Sequence, residues 1–292
     1  MLYYLLAFVR GARFKTLPCI IMPICMATTW AFYKTNIFHL DIFCWTLASG
    51  MFLQMSVNFF NDALDFKFGT DTLERQGPIR LVQSGTLSIN MVFGFGFLCA
   101  GLSVLAALVL IDRGGWAILL LGTLALLASY FYTGYSFSLI KKGLAELSVF
   151  FFFGILAVGG TYYLQTLTLD YSLMYLGVQS GLWALSILLV NYLRDEKEDL
   201  LSARKNIITT YGRSIGLLTF AIIQCFIYLL CFYWLDLNIK GGAFSFFMII
   251  PSCFLIYFVC NTPPSKKYNL YLFLTSLLYV LFGTSWILGV LF

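Results

Sequence analysis

Nine apolar windows, each long enough to cross a bilayer, decide what this chain can fold into. They fall at about 17–33, 41–60, 89–111, 116–135, 145–164, 172–193, 214–235, 241–260 and 270–291. The chain is 61% hydrophobic and 11% charged, with a mean hydropathy of +0.88. A soluble protein of 292 residues could not hide that much apolar surface. The expected fold class is therefore an all-α integral membrane protein, with nine transmembrane helices in one bundle over residues 1–292 and no separate soluble domain.

The basic residues set an orientation. Counted by loop, Arg10, Arg13, Lys15, Lys67, Arg75, Arg80, Lys141, Lys142, Arg194, Lys197, Arg204, Lys205, Arg213, Lys266 and Lys267 fall on one side. Only Lys34, Arg113 and Lys240 fall on the other. This bias puts the N-terminus in the cytoplasm and, with nine spans, the C-terminus outside. The first apolar stretch follows Arg10, Arg13 and Lys15 as a signal peptide would, but no clean small-residue cleavage site follows, so a retained helix is expected. The net charge of +5 is not gathered into a stripe with stacking aromatics, which argues against nucleic acid as a partner. The eight cysteines form no C-x-x-C pair and read as packing residues. With His39 the only histidine, Ser-His-Asp and Cys-His catalysis are excluded in practice.

Against this background the acids stand out. Eight of the 13 carboxylates lie in two short segments, both on the cytoplasmic side. The first runs from Asn58 through Asn61, Asp62, Asp65 and Asp71 to Glu74; the second holds Asn191, Arg194, Asp195, Glu196, Glu198 and Asp199. Their loops, about 61–88 and 194–213, are the longest in the chain. If the second and sixth spans continue as helix, Asn58, Asp62 and Asp65 share a face, and so do Asn191, Asp195 and Asp199. Carboxylates this close repel, and a hard divalent cation with oxygen ligands relieves the repulsion. Mg²⁺ held by one or two carboxylates, water and substrate phosphates is the expected arrangement, with Lys67, Arg75, Arg80, Arg194, Arg204 and Lys205 within reach of phosphate oxygens. The competing reading is solvated loop acids paired with neighbouring cations; it suits Glu74, Glu196 and Glu198 better than the four aspartates of the matched stripes. Phe150–Phe153 could line an apolar tunnel for a lipid substrate, or be ordinary core.

Several blocks, in order, resemble the UbiA superfamily of intramembrane prenyltransferases, and within it the 1,4-dihydroxy-2-naphthoate polyprenyltransferases of menaquinone synthesis. Ala12-Arg13-Phe14-Lys15-Thr16-Leu17-Pro18 resembles A-R-P-K-T-L-P, with Phe14 in place of proline. Asn61 to Asp71 matches N-D-x-x-D-x-x-x-G-x-D, and Gly77-Pro78-Ile79-Arg80 with Gly85 matches G-P-x-R…G. Tyr132-Thr133-Gly134, Gly143-Leu144-Ala145-Glu146 and Val149 to Gly154 resemble Y-T-G…G-L-G-E…V-F-x-F-F-G. Asn191 to Asp199 resembles N-N-L-R-D-x-x-x-D, followed by Ala203-Arg204-Lys205 where the family has a Gly-Lys pair.

The resemblance implies a nine-span bundle whose central cavity opens to the cytoplasm, in a bacterial inner membrane. It implies Mg²⁺ on Asp62, Asp65, Asp195 and Asp199, holding the diphosphate of a polyprenyl donor. Asp71 would support the site, and Asn58, Asn61 and Asn191 would lie beside the metal. Lys67, Arg80, Lys141 and Arg194 would neutralise the leaving group, with Arg204 and Lys205 also near it. The acceptor would be the naphthoate or another aromatic acid, with Tyr130, Tyr132 and Asp71 as candidate ring bases and no obligatory protein partner. The contrasting reading is a transporter, which normally needs charge near the bilayer midplane; these spans hold almost none.

Overall fold

The computed structural model describes residues 2–69, 76–78, 80–134 and 138–292. The helices are α1 (Leu2–Ala12), α2 (Pro18–Thr35), α3 (Leu40–Lys67), α4 (Ile89–Phe131), α5 (Ala145–Thr166), α6 (Leu173–Leu201), α7 (Ile207–Tyr211), α8 (Arg213–Asp236), α9 (Lys240–Asn261) and α10 (Tyr268–Leu291). Among the described residues, seven helices are long and apolar enough to cross a membrane, or eight if α1 and α2 form one bent span.

Three of the nine expected windows account for the lower number. Windows 89–111 and 116–135 lie in one helical run of 43 residues, α4. The run is not straight: the Phe60 ring of α3 lies 5.2 Å from Phe97 in its first half and 5.8 Å from Tyr130 in its second, so the chain folds back on itself. The run is broken at Gly115, whose φ of 64° and ψ of −150° suit glycine and few other residues. The first window, 17–33, became α2, which meets the segment before it at 57°. Arg13 in a left-handed conformation and Pro18 at the first helical position make that bend.

α6 is the centre of the bundle. In its most apolar window 72% of residues are buried, against 50% or less in the other candidate spans. Its Gln179 donates to the Ile227 carbonyl of α8 at 2.8 Å and accepts from Trp234 Nε1 at 3.2 Å. Gln224 of α8 donates to Ser186 of α6 at 2.9 Å. These bonds replace the hydrophobic drive that lipid cannot supply between helices. Trp30, Trp183, Trp234 and Trp286 fill the core around them.

α5 approaches α6 through its middle turn, Phe151–Leu156, which is wound as π-helix. Small residues allow the contact: a Cβ at Gly154 would lie 2.4 Å from the Gly177 carbonyl oxygen, and one at Gly181 would lie 2.8 Å from the Phe150 carbonyl oxygen. This fixes the Phe150–Phe153 segment against the helix that carries the second acidic motif. All eight cysteines are free.

Candidate active site

Both acidic motifs lie on helix. α3 runs to Lys67 and α6 to Leu201, each beyond its apolar window. From α3, Asn58, Asn61 and Asp65 face a central cavity of about 700 Å³. From α6, Asn191, Arg194, Asp195 and Asp199 face the same cavity. Asp62 faces elsewhere. One step round the helix from Asn61, it accepts the Leu81 N–H at 2.9 Å and the Val82 N–H at 3.3 Å, and so holds the loop after α3.

That loop brings Arg80 back over the site. Arg80 donates to the Asn61 carbonyl at 2.6 Å and pairs with the buried carboxylate of Asp65. Arg204, from the loop after α6, pairs with the other Asp65 oxygen and with Asp199 at 3.3 Å. Burial opposes the charge of Arg204, but Asp65 and Asp199 outweigh it and raise its pKa, so the guanidinium stays charged. Arg204 thus joins two motifs far apart in sequence. Arg194 grips its neighbour Asp195 with two bonds, 2.6 and 2.7 Å.

Residues not singled out from sequence hold this arrangement. Asn206 donates to Asp199 at 2.9 Å, while its Oδ1 caps α7 through the Ile208 and Thr209 N–H groups. Its place before Ile207-Ile208-Thr209, a capping-box pattern, was the available signal. Asn269 of α10 accepts from Arg194 at 3.0 Å and donates to the Gln76 carbonyl at 3.1 Å, and Glu198 accepts the Gln76 N–H at 2.7 Å. Thr133 donates to Asn61, and Asn58 ties α3 to the Ala12 carbonyl at 2.8 Å. Arg13 and Lys15 also line the cavity.

Other expected residues lie apart. Lys67 and Lys205 are exposed and do not line the cavity. Lys141 lines a small side pocket with Asp65, Thr133 and Arg204. Tyr132 lines the cavity and Tyr130 packs on Phe60. Asp71, Glu74 and Arg75 lie outside the described residues.

The polar donors around the mouth suit a hard cation: they are carboxylates and amides, with no imidazole, and Cys19 is the sole cysteine among the described residues of the cavity wall. Among the described residues, however, no three acidic, histidine or cysteine side chains converge on one point. An ion here would be held by one or two carboxylates and complete its shell with water or phosphate, which is how Mg²⁺ is normally bound. Three arginines already lie on the carboxylates, so positive charge in this place is what the fold is built to balance. Away from this mouth the cavity is apolar, lined by Phe152, Phe153, Leu156 and Leu188 among others.

A polar, doubly charged mouth on a deep apolar cavity is the shape a lipid diphosphate needs, and comparison with known proteins agrees. Residues 20–288 match the UbiA prenyltransferase family. The chain belongs to that family. It is a membrane prenyltransferase. It is 33% identical over 212 residues to the 1,4-dihydroxy-2-naphthoate octaprenyltransferase of Haemophilus influenzae, covering 70% of this chain and 69% of that protein. It is 35% identical over 195 residues to the protein of the same name from Mycobacterium tuberculosis, covering 65% of each. A UbiA homologue from Archaeoglobus fulgidus, bound to DMAPP and Mg²⁺, superposes with a TM-score of 0.63 over 96% of this chain and 98% of that one. At 14% identity the superposition shows a shared fold.

Proposed function

We propose that this UbiA-family chain transfers a polyprenyl group from its diphosphate to 1,4-dihydroxy-2-naphthoate, with loss of CO₂ and diphosphate, giving the quinol form of demethylmenaquinone, which air oxidises to the quinone. The observation that carries the reading is the single cavity that joins Asp65, Asp195, Asp199 and three arginines to an apolar interior. The two naphthoate prenyltransferases named above support the acceptor, though each match spans only about two thirds of the relative.

In this reading one or two of Asp65, Asp195 and Asp199 would hold each Mg²⁺ ion, with water or phosphate completing its shell, and Asp62 acts through the loop it anchors. When bound, Mg²⁺ supplies charge that stabilises the departing diphosphate. Arg80, Arg194 and Arg204 move from carboxylate to phosphate oxygens as the donor arrives. Asn58, Asn61 and Asn191 orient the same edge of the cavity. The prenyl C–O bond breaks, the carboxylate-bearing ring carbon attacks the allylic carbon, and the carboxylate then leaves that ring carbon as CO₂, returning its bonding pair to the ring. The apolar walls keep water from the allylic carbon. Lys141, which lines a side pocket with Asp65 and Arg204, is assigned to the rim of this site.

The bundle crosses the inner membrane nine times in this reading, because α4 turns at Gly115 and crosses twice. Both motifs then face the cytoplasm, with the 15 basic residues of that side.

The test is incubation of the purified protein with Mg²⁺, an all-trans polyprenyl diphosphate and the naphthoate, with mass spectrometry for demethylmenaquinone. Product that vanishes with EDTA and in Asp65→Asn is expected. Product with a different aromatic acid alone would replace the acceptor, and a fully active Asp65→Asn would overturn the metal assignment.

A further inference from the structure

The polar side chains around the cavity mouth are largely bonded to one another. Its carboxylates pair with arginines, Asn58 donates to the Ala12 carbonyl, Asn191 donates to the Ile187 carbonyl at 3.2 Å, and Thr133 donates to Asn61. Tyr192 departs from this pattern. It lines the cavity and is only 6% exposed, yet its hydroxyl meets no partner at hydrogen-bonding geometry among the described residues. The neighbouring Tyr132 hydroxyl falls outside that geometry. A buried hydroxyl without a partner costs free energy, and phenylalanine would avoid the cost. The N-N-L-R-D pattern that this segment resembles has asparagine here, so the phenol is this chain's own.

Its place is the boundary between charge and grease. Tyr192 lies on α6 three residues before Asp195 and four after Leu188, and both of those line the cavity. At about 1.5 Å per residue it sits roughly 4.5 Å inward of Asp195. In the reaction proposed above, the diphosphate lies outward of this level and the prenyl tail inward. The acceptor ring must meet the allylic carbon between them.

The surrounding charges narrow what the hydroxyl can bond. Glu146, at the start of α5, and Asp199 bring negative charge near it, and Arg204 brings positive charge. Three arginines already serve the diphosphate, so a neutral phenol between two carboxylates adds little for another phosphate oxygen. It suits a neutral hydroxyl, which can donate to it or accept from it. The naphthoate carries two. Its 1-hydroxyl is ortho to the carboxylate and bonds it internally, whereas its 4-hydroxyl has no partner within the molecule.

We propose that the Tyr192 hydroxyl binds the 4-hydroxyl of the naphthoate and so selects the aromatic acids that the enzyme accepts. The inference rests on the prenyl transfer proposed above and adds the residue that reads the acceptor. A site built to bond a substrate hydroxyl rejects the analogue that lacks it, because the protein's own polar group is then left unpaired.

The experiment compares full-length wild type with Tyr192→Phe, which removes the oxygen and keeps the ring. Two acceptors are used, 1,4-dihydroxy-2-naphthoate and 1-hydroxy-2-naphthoate. The Kd of each is read with Mg²⁺ and an unreactive thiolodiphosphate analogue of the donor, and KM values are read from turnover. Wild type should prefer the dihydroxy acid by about tenfold or more. In Tyr192→Phe the two acids should bind about equally, with the 1-hydroxy acid and the donor KM unchanged. Without acceptor, the variant should melt at or above wild type, because the oxygen it loses bonds nothing there.

A lower melting temperature would assign the hydroxyl to the fold and overturn the proposal. So would a folded variant that keeps the preference for the dihydroxy acid, and prenyl transfer would still stand. A raised donor KM with the preference kept would overturn it too, and give the hydroxyl to the diphosphate. Wild type that neither binds nor converts either acid would overturn both the proposal and the acceptor reading.

Discussion

Arg204 touches both acidic motifs, and its removal separates the structural from the catalytic use of their charge. In Arg204→Gln, Asp65 keeps Arg80 and Asp199 keeps Asn206, but the bridge between the motifs is gone. Breaking a buried pair from one side costs about 3 kcal/mol or more. The variant should therefore melt well below wild type in EDTA. Added Mg²⁺ should recover more of that loss than it adds to wild type, because a cation between the carboxylates substitutes for the lost guanidinium. Equal Mg²⁺ shifts in the two proteins would mean that the ion does not lie between Asp65 and Asp199. Asn206 allows a finer cut, since it both caps α7 and holds Asp199. Asn206→Ala should lose about 1 kcal/mol from the cap alone. Asn206→Ser restores the cap but cannot reach as far, so stability should return while kcat stays low. Recovery of both would remove Asp199 from the role given to Asn206. The aspartates were legible because helical spacing puts acids at i, i+3 and i+4 on one side. Asn269 and Gln76 were not, because they reach the site only once α6, α10 and the loop after α3 have packed. Nor does the spacing show that the loop amides of Leu81 and Val82 bond Asp62.

At the scale of the element, the apolar windows located the helices and misjudged their ends. α3 and α6 continue past 60 and 193 because the polar residues there bond to each other and to loops, a fact that hydropathy does not see. The π turn in α5 was likewise hidden, since nothing in Phe151-Phe152-Phe153-Gly154 distinguishes it from ordinary helix. Its cause is tertiary: the backbone of α5 lies against Gly177 and Gly181 of α6. A side chain at Gly154 has only backbone to push against, so neither helix can yield by a rotamer change. Gly154→Val should cost roughly 1–3 kcal/mol, read as a fall in melting temperature in detergent. It should also weaken donor binding, because Phe152 and Phe153 line the cavity from the same turn. A variant as stable as wild type would show that the close approach of α5 and α6 is not needed.

For the whole molecule, the open quantity is the number of crossings, and Gly115 decides it. If α4 turns there and crosses twice, the total is odd and the termini lie on opposite sides; if it crosses once, they lie on the same side. The charges argue for the turn. The three cations on the minority side are all engaged by the protein itself. Lys34 pairs with Asp170 at 3.4 Å, Arg113 holds the carbonyls of Leu164 and Gln165, and Lys240 donates to the Phe292 carbonyl at 2.8 Å. Asp170 answers in kind: burial opposes its charge, but Ser172 and Lys34 prevail and lower its pKa, so the Lys34 pair persists at neutral pH. Cations bound in this way add little pull toward the cytoplasm, which sharpens the asymmetry beyond the count of loops. A periplasmic reporter such as alkaline phosphatase, fused after Phe292, should be active, and one fused within the Lys266-Lys267 loop should be silent. The reverse pair of results would invert the bundle and put the carboxylate mouth outside, away from any cytoplasmic donor. Activity at neither position would leave the C-terminus with the cytoplasmic loops.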